Sequence, residues 1–202
     1  HRVHGCDFAE AMLAILDDRA AAEHLPITSH LLAWEDDWEA AGLGTDSVDV
    51  AFASRSLMAE AVGPFVAKLD SAARSRAAVV VPDSLLPSRE PRLLTYLGRT
   101  AKRPRNARKV LRALRTMGRI PTQATTTTVR PMRFSSFDEA RADLRRLAGP
   151  EPFTAREQRL FDAYAAQHFV REAPADPSEA TEGHWVLDYA LPVTWVFIGW
   201  RT

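Results

Sequence analysis

The chain holds a single cysteine, Cys6, in 202 residues. No internal disulfide can form, so a reducing, cytoplasmic compartment is the expected home. No apolar run approaches the ~20 residues of a membrane span and no segment resembles a signal peptide, which argues against a membrane partner. Acidic residues are missing from one long stretch: between Glu90 and Asp138 lie twelve Arg and Lys and no Asp or Glu. At the other end, residues 1–50 carry eleven Asp and Glu against only Arg2 and Arg19, although the net charge is zero. Sorting of this kind either presents a surface to anionic ligands or lets the two regions pair in the fold.

What is present is enough for a core. With 46% hydrophobic residues, the chain can build one substantial domain rather than two. Residues 2–7 read as a strand ending at Asp7, and 8–23 as a helix with Phe8, Met12, Leu13 and Leu16 inward. Strands are expected at 27–34 and 77–81, and a buried one at 48–53. Between them, 35–41 is an acidic turn stopped by Gly42 and Gly44, and 57–73 a helix interrupted at Gly63-Pro64.

A loop rich in Pro and Arg runs to about Pro104, followed by the clearest helix in the chain. Ala107, Val110, Leu111, Leu114 and Met117 form its apolar stripe, and Arg105, Arg108, Lys109, Arg112 and Arg115 its basic one. Residues 121–130 read as a strand, 136–147 and 154–170 as helices, and 173–183 as polar loop. A last strand covers 191–200, with Pro192 at its start. Strands alternating with helices predict an α/β three-layer sandwich around a mostly parallel sheet. In such sheets ligands sit beyond the carboxyl ends of the strands. An acid there, such as Asp7, can accept hydrogen bonds from both hydroxyls of a ribose, or can merely cap the helix that follows.

The succession GCDFAEAML, AWEDDW, VDVAFASRSL, AAVVVPD and ALPVTWVFIGW resembles a class I S-adenosylmethionine-dependent methyltransferase from its second strand onward. The resemblance implies a Rossmann-like methyltransferase sheet with an antiparallel last strand and a helical insert before it. It implies one methyltransferase-like domain over 1–202, with 136–172 as the insert or cover, and S-adenosyl-L-methionine as cofactor. Asp7 falls where the family binds the adenosyl ribose, with Phe8 and Met12 beside the adenine. Trp34, Glu35 and Asp36 fall at the turn that meets the adenine, through Glu35 or through stacking on Trp34. Ser54 and Arg55 fall where family members face the methionine part of the donor. Asp83, Tyr96, Tyr164 and His168 are the candidate residues on the substrate side.

One family feature is missing. Nine glycines are present, but no G-x-G-x-G spacing lets the backbone approach the donor after a first strand. The chain also lacks an initiator Met, so the expectation is a segment upstream of His1 that carries that strand and loop.

The implied chemistry is direct displacement at an activated sulfonium, which needs alignment and dryness more than a Ser/His/Asp triad. His4 and Cys6 share a strand face, but two ligands do not make a metal site, and none is expected. His168 and His184 are the available bases. The leading reading is methyl transfer to a small-molecule acceptor, with 84–104 and 136–172 covering the substrate. The alternatives are an RNA methyltransferase or RNA-binding module using the basic stretch 92–133, and a catalytically silent scaffold of the same fold. Base stacking wants aromatics among the arginines, and only Tyr96 lies there before Phe134, so nucleic acid ranks below a small molecule. A homodimer is an admitted partner state, and the sequence does not decide it.

Overall fold

Alternation along the strands decides what is buried. In β4 (Ala73–Pro82), Ala77, Val79 and Val81 are buried on one face. Val196, Ile198 and Trp200 of β9 (Leu191–Arg201) join them. The computed structural model describes residues 1–57, 61–83, 88–100, 106–172 and 184–202. Two helices cover this face, α2 (Gly63–Ala72) through Val66 and Leu69, and α4 (Asn106–Thr116) through Ala107, Val110 and Leu114. Asp70 of α2 clamps the assembly, accepting from Trp200 Nε1 of β9 and from Arg119 just past α4, each at 2.8 Å.

The sheet order is β3-β4-β9-β5, with β3 spanning Val48–Ser54 and β5 Thr122–Arg130. β3 and β4 run parallel, and β9 runs antiparallel to both β4 and β5. Three of the four strands therefore point one way and only the last in sequence opposes them, as the expected α/β fold requires. A second parallel pair joins β1 (Val3–Asp7) to β2 (Ile27–Leu31), connected by α1 (Glu10–Ala22).

Burial is narrower than the sequence suggests. In α1 only Leu13 and Ala20 are buried, while Phe8 is 78% and Met12 54% exposed, against the expected inward stripe. Two strands are too narrow to cover more of a helix. Leu16 is half-buried over Gly5, where an added Cβ would lie 2.5 Å from its Cδ2. β3 is likewise not buried throughout. Ala51 and Ala53 face α2, whereas Val50 and Phe52, both 58% exposed, point to the opposite face together with Phe197 of β9. The helix expected over 57–73 begins at Gly63, with Pro64 in its first turn, so the predicted interruption is its start.

The loop expected up to Pro104 contains α3 (Pro91–Tyr96), which starts where Glu90 accepts a hydrogen bond from Leu93 N and Pro91 occupies the first turn. Residues 84–87, 101–105 and 173–183, with Arg105 of the basic stripe, lie outside the described residues.

β5 and β9 pair as far as Arg130↔Leu191, so residues 131–190 leave and rejoin the sheet at neighbouring positions. This insert holds α5 (Phe137–Leu147), α6 (Ala155–His168) and an antiparallel sheet β6-β8-β7, comprising Arg133–Phe134, His184–Leu187 and Phe169–Glu172. These three short strands are invisible to periodicity, and Phe169 and Val170 belong to β7 rather than to the helix expected through 170. Both helices have side-chain caps, Ser136 on Glu139 N and Thr154 in a capping box with Glu157. The insert has its own core of Ala140, Leu144, Leu147, Phe161, Phe169 and Leu187, completed by Leu93 and Leu97 of the α3 region. No helix among the described residues is long and apolar enough to cross a membrane.

Candidate functional site

Asp7 ends β1 half-buried, and its Oδ1 accepts from Ala9 N at 2.9 Å. That bond closes a turn two residues long rather than capping the helix, whose N-cap is Ala9. It uses one carboxylate oxygen. No hydrogen bond to Oδ2 occurs among the described residues, and the exposed side chains of Phe8 and Met12 put apolar surface next to it in sequence.

The turn after β2 is more occupied than the sequence implies. Trp34 stacks against Trp38 at 5.2 Å and against Phe65 of α2 at 5.1 Å, and its Nε1 donates to Ser56 O at 3.2 Å. It packs against the main core, so its ring surface is used internally. Asp36 Oδ2 accepts from Ala33 N at 2.7 Å, and Lys68 Nζ donates to Trp34 O and Asp36 O. Glu35 is exposed. Of the three, Glu35 is the one whose side chain is not engaged within the turn.

Ser54 ends β3, and Arg55 follows with φ +62°, a left-handed conformation that costs a non-glycine residue about 1–3 kcal/mol. Its N–H donates to Val80 O at 3.0 Å, and its guanidinium lies 4.6 Å from the centre of the Trp195 ring. Asp83, past β4, donates its N–H to Thr194 O and leaves its side chain exposed. Ser54, Arg55 and Asp83 therefore stand at the carboxyl ends of the neighbouring strands β3 and β4, Arg55 against Trp195 and Asp83 bonded to Thr194 of β9. The Trp34–Ser56 bond ties the turn after β2 to the same place. His4 pairs with His30 across β1 and β2 (Nδ1 to Nε2, 2.9 Å), not with Cys6.

A second cluster lies where the insert rejoins β9. Three residues expected on the substrate side, Tyr96, Tyr164 and His168, come together although they are distant in sequence. The Tyr96 and Tyr164 rings are 5.2 Å apart, and those of Tyr164 and His168 4.3 Å. Asp83 shares no hydrogen bond or ion pair with them among the described residues. The sequence reading missed Asp188, which faces His168 Nδ1 at 3.0 and 3.2 Å, and Tyr189, whose hydroxyl meets that of Tyr164 at 2.5 Å. Arg92 lies 4.4 Å from the centre of the Tyr189 ring. Burial pushes the Tyr164 hydroxyl up to about 12, and burial with the Tyr164 hydrogen bond raises Tyr189 further. The buried Glu90 adds to both shifts. Asp188-Tyr189 just before a strand carries no spacing signal, which is why only its partners could be found from the sequence.

No family model matches the chain, and no curated protein matches it in sequence. Solved structures do match in fold. A candidate methyltransferase from Bacillus halodurans is similar over 100% of this chain and 83% of its own, at 12% identity and a TM-score of 0.55. The cyclase SpnF is similar over 100% and 66%, at 12% identity and a TM-score of 0.50. Geranyl diphosphate C-methyltransferase from Streptomyces coelicolor matches over 99% and 64%, at 12% identity and a TM-score of 0.47. The chain spans about two thirds of the length of the geranyl diphosphate methyltransferases it matches. Identities this low speak to architecture, and the architecture is the Rossmann-like methyltransferase fold.

Proposed function

We propose that this chain, which has the methyltransferase fold, is an S-adenosylmethionine-dependent methyltransferase acting on a small-molecule acceptor. Fold alone does not carry the reaction, since one of the similar structures is named a cyclase. The observation that carries the proposal is Asp7. It stands at the end of a parallel strand with one oxygen fixed by Ala9 N and the other available, beside the exposed Phe8 and Met12. A carboxylate acceptor beside apolar surface suits a ribose diol against a flat base.

The residues fit the donor as follows. Asp7 would hold the ribose hydroxyls, Phe8 and Met12 the adenine face, and Glu35 the adenine amino group. Ser54 and Arg55 would meet the amino-acid end, with Arg55 supplying a forked cation for a carboxylate. Trp34 and Asp36 shape the turn from within. S-adenosylmethionine supplies a methyl group already activated for displacement. The protein then has to align the acceptor, exclude water and receive a proton where the acceptor loses one. The insert helices α5 and α6, together with α3, would cover the acceptor side.

The test is equilibrium binding of S-adenosylhomocysteine to the full protein by calorimetry. Saturable one-to-one binding, competed by S-adenosylmethionine, is expected. Absence of binding by a folded protein would refute the donor assignment.

A further inference from the structure

We infer that the His168–Asp188 pair receives the acceptor's proton, and that the acceptor is a small planar aromatic molecule bearing a hydroxyl and an anionic group. The inference rests on the methyltransferase reading above and extends it to the substrate.

A carboxylate can only accept hydrogen bonds, so contacts of 3.0 and 3.2 Å from His168 Nδ1 to the Asp188 oxygens fix the proton on Nδ1. Nε2 then carries the lone pair, and among the described residues it has no hydrogen-bond partner. The ring is held from several sides. Asp188 N donates to His168 O at 2.9 Å, Tyr164 lies at 4.3 Å, and Tyr189 stands nearly perpendicular at 5.4 Å. Neither tyrosine competes for the proton, because both hydroxyls are held in their neutral form and are bonded to each other. The imidazole Nε2 therefore presents an open lone pair to an incoming proton.

Substrate class follows from the surroundings. Tyr96, 42% exposed, and the rings of His168 and Tyr189 offer aromatic surface to a flat molecule. Arg92 packs on the same Tyr189 ring that His168 touches, is exposed, and forms no salt bridge among the described residues. Its forked donors suit a carboxylate or phosphate on a substrate whose hydroxyl reaches Nε2. The step balances. The acceptor's O–H bond breaks with its proton passing to Nε2, the O–CH3 bond forms, and the electron pair of the donor's C–S bond returns to sulfur. Asp188, whose side chain hydrogen-bonds only to His168 among the described residues, is a positioning residue that stabilises the resulting imidazolium.

The test uses 4-hydroxybenzoate as probe and nitrogen NMR of the histidines, with His168 assigned through His168→Gln. The wild-type protein should show His168 protonated at Nδ1, and Asp188→Asn should abolish that tautomer preference. The probe should shift the Nε2 signal, benzoate should leave it in place, and Arg92→Ala should weaken probe binding about ten- to hundredfold. An unchanged tautomer in Asp188→Asn, or saturating probe without movement of Nε2, would overturn the inference. These readouts need no donor. Failure to bind S-adenosylhomocysteine with a normal probe response would sink the donor reading alone, and the converse result would sink this inference alone.

Discussion

Asp7 has two jobs in this account, and they can be separated by choice of substitution. Its Oδ1 closes the turn onto Ala9 N, while under the proposed function its second oxygen and its charge would serve the donor. Asp7→Asn keeps an oxygen for Ala9 N, so folding should change by no more than a few tenths of a kcal/mol, Asn and Asp being near equals in such turns. On the donor side it replaces an acceptor with an NH2 group and removes the charge. Charge-assisted hydrogen bonds contribute about 1.5–3 kcal/mol, so affinity for S-adenosylhomocysteine should fall by about 10- to 150-fold. Asp7→Ala loses both functions and should cost about 0.5–2 kcal/mol of stability as well. Calorimetry gives the affinities, and denaturant unfolding followed by circular dichroism gives the stabilities. Equal affinity in Asp7→Asn and wild type, with folding intact, would reduce Asp7 to a turn residue and refute the ribose assignment.

Two further outcomes follow from surface charge. Arg108, Arg112 and Arg115 are exposed on α4, opposite the buried Val110 and Leu114, so replacing all three by Gln should leave donor binding within about twofold; if the parent binds RNA with a steep salt dependence that the triple variant loses, the nucleic-acid reading takes over. Glu157 is held down to about 2 by the Arg99 guanidinium at 2.6 Å and by the Thr154 backbone and hydroxyl. Because its folded value lies below the ordinary 4.5, its stabilisation is present above about pH 4.5 and disappears as the pH falls through 2. Wild-type unfolding midpoints should therefore drop more steeply between pH 5 and 2.5 than those of Glu157→Gln, and parallel curves would contradict this.

Much of the main sheet was legible because its strands are β-branched and apolar and its helices are amphipathic. Val79 and Val81 of β4, the Val110–Leu114 stripe of α4 and the Ser136 and Thr154 caps all stand where local pattern puts them. Patterns fail where burial depends on what covers an element. Phe8, Met12, Val50 and Phe52 look like core and are exposed, because α1 and β3 are each covered on one side only. The strand ends at Asp7 and just before Arg55 were legible, but the stacking of Trp34 on Trp38 and Phe65 is a tertiary fact. Tyr96, Tyr164 and His168 were singled out only as residues on long connections, and the partner that gives His168 a defined tautomer, Asp188, reaches it from twenty positions away.

The pairing of Arg130 with Leu191 makes the whole insert the loop of one long hairpin. Cross-strand neighbours lie about 5 Å apart, so the ends of the insert are as close as those of a two-residue turn. A unit joined in this way can be exchanged without disturbing the register of the sheet, since the strands on either side see the same boundary whatever lies between. The exchange cannot stop at residues 131–190, because Leu93 and Leu97 complete the core of the insert and Arg99 is tied to Glu157. The insert and α3 thus form one packing unit in two pieces of chain, which should travel together between sheets of this type. A graft of the loop alone would arrive with part of its own core left behind.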